Sequence, residues 1–103
     1  MEYKHITQEE AKHLMDTEPN VIVLDVRNPE EYSNGHIKGA VNLPNPSITN
    51  REIPELPDKD QKILVYCLSG QRSRIAAKKL AILGYTNIHE FGGIADWKYE
   101  TEL

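Results

Sequence analysis

The sequence contains little of what several protein classes require. It has a single cysteine among 103 residues, so no disulfide can form within the chain and no second thiol is available for a metal cluster. No window approaches the roughly 18 consecutive apolar residues that a membrane-spanning helix needs. The N-terminal residues lack the apolar segment and the cleavage site of a secretory signal peptide. We therefore expect a cytoplasmic protein that does not associate with membranes.

An excess of positive charge is also missing. The formal net charge is -4 at pH 7, and no basic run is present. These values disfavour nucleic acid as a partner, because proteins that bind it concentrate Lys and Arg on one surface. The four histidines are scattered without the spacing of metal ligands, so we expect no metal site. The length predicts one domain that spans residues 1–103.

Hydrophobic patterns predict an alternation of strands and helices. Continuous apolar, largely β-branched runs predict buried strands over residues 21–26 and 63–66. Shorter strands are expected within residues 36–43 and 87–91. Connections of this length favour parallel pairing with right-handed crossovers, which is typical of an α/β fold.

Helix signals lie between these strands. A capping box that begins at Thr7 predicts a helix over residues 8–16. The Asn-Pro-Glu-Glu stretch at residues 28–31 predicts the start of a second helix. A third helix is expected to begin near Ser73 and to turn Ile75 toward the core. The Ser69 and Ser73 hydroxyls are expected either to donate to the Cys67 sulfur or to cap this helix, and the cap alone accounts for Ser73.

The stretch from Ile63 to Leu83 combines a buried strand, a glycine-containing loop that opens with Cys67, and a helix. The start of a helix favours anions through its unpaired N–H groups and its dipole. A thiol ionises more readily there and beside cations, and Arg72 and Arg74 flank this helix start. Two interpretations stay open: a reactive thiol in an anion-binding loop, or a buried and inert cysteine at the end of a strand.

Four blocks of residues resemble a known family. The blocks are Asp25-Val26-Arg27 with Glu31-Tyr32, Gly35-His36-Ile37 with Gly39-Ala40 and Asn42, Cys67-Leu68-Ser69-Gly70-Gln71-Arg72-Ser73, and Gly92-Gly93 with Trp97. In order and spacing they resemble the single-domain rhodaneses, a family of sulfurtransferases, over nearly the whole chain. The resemblance implies an α/β fold with a central five-stranded parallel β-sheet flanked by α-helices on both faces. It also implies that no metal or organic cofactor is required.

The resemblance further implies that Cys67 is the catalytic residue. In such enzymes the thiolate attacks the outer sulfur of a donor such as thiosulfate and holds that sulfur as a persulfide. A second nucleophile then takes it, so the implied partners are a small anionic sulfur donor and a thiol or sulfur-acceptor protein. The donor is expected to bind the loop that follows the cysteine, through its backbone N–H groups and the Arg72 guanidinium. The residues of this loop are Leu68, Ser69, Gly70, Gln71, Arg72 and Ser73.

Loop length separates this chain from related phosphatases and arsenate reductases. Those relatives place an arginine six positions after the cysteine, whereas here Arg72 is at the fifth position and Ser73 at the sixth. This shorter loop favours sulfur over phosphate as the transferred group. Many members that use thiosulfate have a basic residue directly after the cysteine, but this chain has Leu68, so a persulfide or polysulfide is an alternative donor. A non-catalytic interaction or regulatory module with the same fold is the alternative function.

Asp25 and Arg27 are expected to support the site. Asp25 is predicted to accept hydrogen bonds from backbone amides, and Arg27 is predicted to pair with Glu31. Such pairing makes buried charges tolerable. His36 is expected to belong to a structural turn, and Trp97 to the core.

Overall fold

The computed structural model describes residues 2–103. Helices and strands alternate along this part of the chain. Their bounds, in chain order, are β1 Lys4–His5, α1 Gln8–Thr17, β2 Ile22–Asp25, α2 Pro29–Ser33, β3 His36–Ile37, β4 Val41–Asn42, β5 Ile63–Cys67, α3 Gln71–Ile82, β6 Ile88–Gly93 and β7 Thr101–Glu102, with short 3₁₀ helices at Asn45–Ser47 and Ile94–Asp96.

Five of the strands form one sheet in the order β1-β6-β5-β2-β4. Every neighbouring pair in this sheet is parallel, which confirms the predicted five-stranded parallel sheet. β5 is the central strand, so its C-terminal residue lies in the middle of the sheet edge where parallel α/β folds bind their ligands. β3 and β7 form a separate antiparallel pair. The sequence patterns did not predict β1 or β7, because two-residue strands carry almost no periodic signal.

The two faces of the sheet bury two apolar clusters. Successive side chains of a strand point to opposite faces, and β5 accordingly places Val65 in one cluster and Leu64 in the other. α3 covers the Val65 face with side chains that include Leu80. α1 covers the Leu64 face with Ala11. Helices therefore flank the sheet on both faces, as the resemblance implied.

Capping interactions begin the first two helices where the sequence predicted. The Thr7 hydroxyl accepts a hydrogen bond from the Glu10 amide at 3.0 Å, and the Glu10 carboxylate accepts one from the Thr7 amide at 2.9 Å. These reciprocal bonds confirm the capping box of α1. Glu31 likewise accepts a hydrogen bond from the Asn28 amide at 3.1 Å before α2.

The third helix differs from its prediction in two respects. It begins at Gln71, two residues before Ser73, and Gly70 is its N-cap with a φ of 104°. The predicted cap at Ser73 is therefore wrong, because Ser73 already lies within the first turn. The inward orientation of Ile75 is also wrong, since this side chain is 50% exposed. The buried stripe instead runs through smaller residues and one leucine, at Ser73, Ala76, Ala77, Leu80 and Ala81.

Candidate active site

Cys67 ends β5 and opens the loop that connects it to α3. Its side chain is only 1% exposed. The Gly70 amide donates a hydrogen bond to the sulfur at 3.0 Å, and Sγ lies 3.5 Å from the Ser73 hydroxyl oxygen. Gly70 can adopt its left-handed φ because it has no Cβ. The predicted loop thus curls its N–H groups around the thiol.

Close packing against β6 fixes the path of this loop. A Cβ added to Gly93 would lie 1.9 Å from the carbonyl oxygen of Leu68, so the backbones can approach this closely only because residue 93 is glycine. The same carbonyl accepts a hydrogen bond from the Ala95 amide at 3.1 Å. The pairing of β5 with β6 is irregular between Val65 and Cys67, which is where the loop leaves the sheet.

Opposing effects act on the ionisation of Cys67. Burial raises the pKa of the thiol, because it removes water from the charged form. Hydrogen bonds from the Ser73 hydroxyl and from the amides of Ser73, Gly70 and Ser69 stabilise the thiolate. These bonds outweigh burial, so the pKa of Cys67 lies below its ordinary value. A lowered pKa and several N–H groups aligned on the sulfur are features that reactive thiols share.

Arg72 does not contact the sulfur by a hydrogen bond. Its guanidinium donates two bonds to the Glu31 carboxylate, at 2.6 Å and 3.0 Å. The hydrogen bond with Arg72 lowers the pKa of Glu31 to about 2. Arg72 therefore does not close the loop as predicted, because it forms an ion pair with Glu31 of α2 instead. The hydrogen bond to Glu31 raises the pKa of Arg72, and the nearby Cys67 charge adds a smaller effect in the same direction.

Asp25 and Arg27 form a buried pair with each other. Arg27 donates to the Asp25 carboxylate through its guanidinium at 2.7 Å and its amide at 2.9 Å. The Tyr66 hydroxyl donates to the same carboxylate at 2.7 Å, and Arg27 also donates to the Gly35 carbonyl at 2.7 Å. The predicted acceptance of backbone amides by Asp25 is confirmed. The predicted pairing of Arg27 with Glu31 is wrong, because Asp25 engages Arg27 and Arg72 engages Glu31.

The remaining loop residues line the exposed side of the site. The side chains of Leu68, Ser69 and Gln71 are exposed, and Leu68 in particular is 45% exposed. Of these three residues, Ser69 contributes to the thiolate environment, through its backbone amide. Within the predicted loop, Ser69, Gly70 and Ser73 therefore direct polar groups at Sγ, whereas Arg72 pairs with Glu31. Asp25 and Arg27 instead bind Tyr66 of β5 and the Gly35 carbonyl.

Two other predicted placements concern residues outside the loop. His36 is buried and stacks on the Tyr32 ring, with ring centroids 3.7 Å apart. It lies in β3, directly before the turn at residues 38–39, rather than in the turn itself as predicted. Trp97 packs against Phe91 beside the core, with ring centroids 5.6 Å apart.

Glu90 is a residue of the site that sequence reasoning missed. It is fully buried in β6, and one carboxylate oxygen accepts hydrogen bonds from the Ser73 hydroxyl at 2.8 Å and the Gly92 amide at 2.7 Å. The other oxygen lies 2.7 Å from the His5 Nδ1. The available signal was a lone acidic residue inside a buried strand pattern, directly before Phe91 and the glycine pair.

Neither a metal cluster nor a membrane span was found in the part of the chain that the structure describes. In residues 2–103, no group of three or more His, Cys, Asp or Glu side chains is arranged to hold a metal ion. No helix there has the length and apolar character to cross a bilayer.

Comparison with known proteins places this site in a family. The model of the rhodanese-like domain matches residues 7–100. Thiosulfate sulfurtransferase PspE of Escherichia coli is 38% identical over 73 residues, which cover 71% of this chain and 70% of that protein. Thiosulfate sulfurtransferase GlpE of Pseudoalteromonas translucida is 32% identical over 99 residues, covering 95% of this chain and 91% of that protein.

A solved structure described as a rhodanese with anions from E. coli shares the fold. It superposes with a TM-score of 0.73 at 34% identity, and the match covers 80% of this chain and 96% of that one. The family model covers most of the chain, and the sulfurtransferase relatives match it over most of their own length. The chain therefore belongs to the family of rhodanese-like domains.

Proposed function

We propose that the protein is a sulfurtransferase that moves a sulfane sulfur from a donor to a thiophilic acceptor through a persulfide on Cys67. The observation that carries this proposal is the environment of Sγ, where the Ser73 hydroxyl and the loop N–H groups surround a buried thiol and lower its pKa. The names of the relatives support the same class of reaction. The roles of residues 68–73 in binding the donor belong to this proposal.

The first half-reaction loads the enzyme. The Cys67 thiolate attacks the outer sulfur of the donor, a new sulfur–sulfur bond forms on Cys67, and the bond within the donor breaks. With thiosulfate, sulfite leaves with the bonding electron pair, and the terminal sulfur of the persulfide carries the negative charge. The loop amides that stabilise the thiolate can stabilise this second anion as well.

The second half-reaction returns the enzyme to its resting state. A thiolate of the acceptor attacks the terminal sulfur, and the Cys67 thiolate leaves with the electron pair of the broken bond. The acceptor then carries the persulfide. No external oxidant or reductant is consumed, since sulfur passes between nucleophiles at a constant oxidation state.

The rim of the site bears on the identity of the donor. Leu68, directly after Cys67, is an exposed apolar side chain. The Arg72 guanidinium, whose charge interacts with Cys67, is paired with the Glu31 carboxylate. Both features weaken the attraction for a doubly charged donor. We therefore propose that persulfides or polysulfides serve as well as thiosulfate. The cytoplasmic location stays a prediction.

Intact mass measurement tests the function directly. The protein is incubated with thiosulfate or with a polysulfide and weighed, with Cys67→Ser as the matched control. We expect a mass gain of one sulfur atom that is absent in the Cys67→Ser variant and is removed by cyanide or a reductant. Absence of a Cys67-dependent adduct with either donor would refute the proposal and favour the interaction module instead.

A further inference from the structure

Ser73 can donate only one hydrogen bond, yet several acceptors compete for it. A serine hydroxyl carries one proton. Its oxygen lies 2.8 Å from the Glu90 carboxylate, 3.1 Å from the Gly70 carbonyl, 3.4 Å from the Gly92 carbonyl and 3.5 Å from the Cys67 sulfur. The Glu90 oxygen is the nearest of these acceptors. A carboxylate oxygen is also a stronger acceptor than a backbone carbonyl oxygen.

Glu90 is held in place by groups on three elements. His5 of β1 approaches one carboxylate oxygen, while Ser73 of α3 and the Gly92 amide of β6 donate to the other. His5 is itself 64% exposed. No other titratable side chain in residues 2–103 forms a hydrogen bond or an ion pair with this carboxylate in the structure. Glu90 is thus linked to the surface through His5 and to Cys67 through Ser73.

We propose that Glu90 is a positioning residue that competes with Cys67 for the hydroxyl proton of Ser73. When the Ser73 hydroxyl donates its hydrogen bond to Glu90, the Ser73 oxygen turns a lone pair toward the sulfur and accepts a hydrogen bond from the protonated thiol. When the sulfur is ionised or carries a persulfide anion, the hydroxyl rotates and donates to it. No bond to hydrogen breaks in this change, because the hydroxyl only rotates about its carbon–oxygen bond.

The catalytic role of Glu90 rests on the proposed function and adds a positioning residue to it. The loop amides of Cys67 are fixed donors and favour the thiolate at all times. Ser73 is a switchable donor, and Glu90 sets how readily it is released to the sulfur. The carboxylate therefore restrains ionisation of the resting thiol, and it yields the hydroxyl when an anionic sulfur has formed.

The pH dependence of iodoacetamide alkylation measures the ionisation of Cys67 without any sulfur donor. The variants are Glu90→Gln, Ser73→Ala and the double variant, with the exposed Glu52→Gln as a control for the change in charge. We expect Glu90→Gln to lower the apparent pKa of the thiol by about one unit, a typical effect of removing a like charge and gaining a hydrogen bond. Glu52→Gln should leave it unchanged.

The double variant separates the two causes of that shift. If Ser73 transmits the effect, Glu90→Gln will lower the pKa of Cys67 by less than half as much when residue 73 is alanine. An equal shift in both backgrounds would mean that Glu90 acts only through its charge, and it would overturn the proposal. Absence of any shift in Glu90→Gln would overturn it as well.

A second measurement uses the native carboxylate, should Glu90→Gln fail to fold. The ¹³C resonance of the Glu90 carboxyl is followed through the titration of Cys67 in the wild-type protein, in Cys67→Ser and in Ser73→Ala. We expect an inflection at the pH where the thiol ionises, which is lost in both variants. A resonance that does not respond to Cys67, or responds equally without Ser73, would refute the competition. Neither readout needs sulfur transfer, so failure here is distinct from failure of the sulfur-adduct test.

Discussion

Glu31 engages the arginine that the spacing of the Cys67 loop assigns to anion binding. Arg72 follows the cysteine at the spacing of an anion-binding residue, but its guanidinium is engaged by a carboxylate from α2. Each partner is about one-third exposed, so the pair is within reach of solvent and of an incoming anion. An anionic donor that binds Arg72 must therefore compete with Glu31.

Replacing Glu31 with Gln is expected to release Arg72. We predict that Glu31→Gln lowers the KM for thiosulfate about two- to five-fold, the equivalent of one partly exposed ion pair. Steady-state kinetics with thiosulfate and cyanide measure this, with the adjacent exposed Glu30→Gln as control. An unchanged KM in Glu31→Gln would show that Arg72 does not bind the donor.

The same ion pair sets a pH limit. Because the bond with Arg72 lowers the pKa of Glu31 to about 2, the pair stabilises the fold above the ordinary carboxyl pKa. That contribution is lost as the pH falls toward the lowered value. Glu31 therefore stays ionised and paired with Arg72 at neutral pH. We expect the difference in KM between the wild type and Glu31→Gln to persist at every pH at which the assay is run.

At the scale of the elements, the join between β5 and α3 depends on packing against β6. The strand delivers Cys67 to the sheet edge, Gly70 turns the chain, and α3 begins at once. Gly93 permits the loop carbonyl of Leu68 to touch the backbone of β6. The position of the Cys67 sulfur therefore depends on β5, α3 and β6 rather than on the loop alone.

Gly93→Ala tests this contact. The added Cβ would overlap the Leu68 carbonyl, so the loop or the strand must shift, and we expect a loss of about 1–3 kcal/mol in the free energy of unfolding. Gly39→Ala is the control, because its Cβ meets nothing within 4 Å and only its φ of +84° is unfavourable. Urea unfolding measures both. A smaller cost for Gly93→Ala than for Gly39→Ala would contradict the close-contact argument.

The buried stripe of α3 gives a second test at this scale. Leu80 is fully buried, whereas Ile75 is half exposed. We expect Leu80→Ala to lower the free energy of unfolding by about 2–5 kcal/mol through loss of burial and formation of a cavity. Ile75→Ala should change it by no more than about 0.5 kcal/mol. Similar costs for the two variants would mean that Ile75 packs inward, as its apolar character alone suggested.

In the whole molecule, buried polar groups connect segments that lie far apart in the chain. Asp25 of β2 accepts from Tyr66 of β5 and from Arg27, and Arg27 donates onward to Gly35 after α2. Asp25 and Tyr66 are completely buried. A charge in such a place is stable only while its partner is present.

Asp25→Asn should therefore destabilise the entire fold. The substitution keeps the shape of the side chain but leaves the Arg27 guanidinium without a counter-charge, and we expect a loss of about 3–5 kcal/mol. Tyr66→Phe removes one hydrogen bond to the same carboxylate and should cost about 1–3 kcal/mol. Chemical unfolding compares the two, and an Asp25→Asn variant as stable as the wild type would contradict this view of the pair.

Local signals in the sequence were sufficient to predict several elements of this protein. Capping residues at Thr7 and Asn28 predicted the helix starts, apolar runs predicted β2 and β5, and the spacing of Cys67, Gly70 and Arg72 predicted the loop. The pairing of charges far apart in the chain, by contrast, became clear only from the fold. Glu31 was predicted to pair with Arg27, four residues before it, but in the structure it pairs with Arg72, 41 residues after it. Glu90 and His5 reach the site from strands 85 residues apart in the chain, which no local pattern records. Contacts between residues far apart in the chain depend on how the elements pack, whereas capping and strand signals depend only on neighbours in the chain.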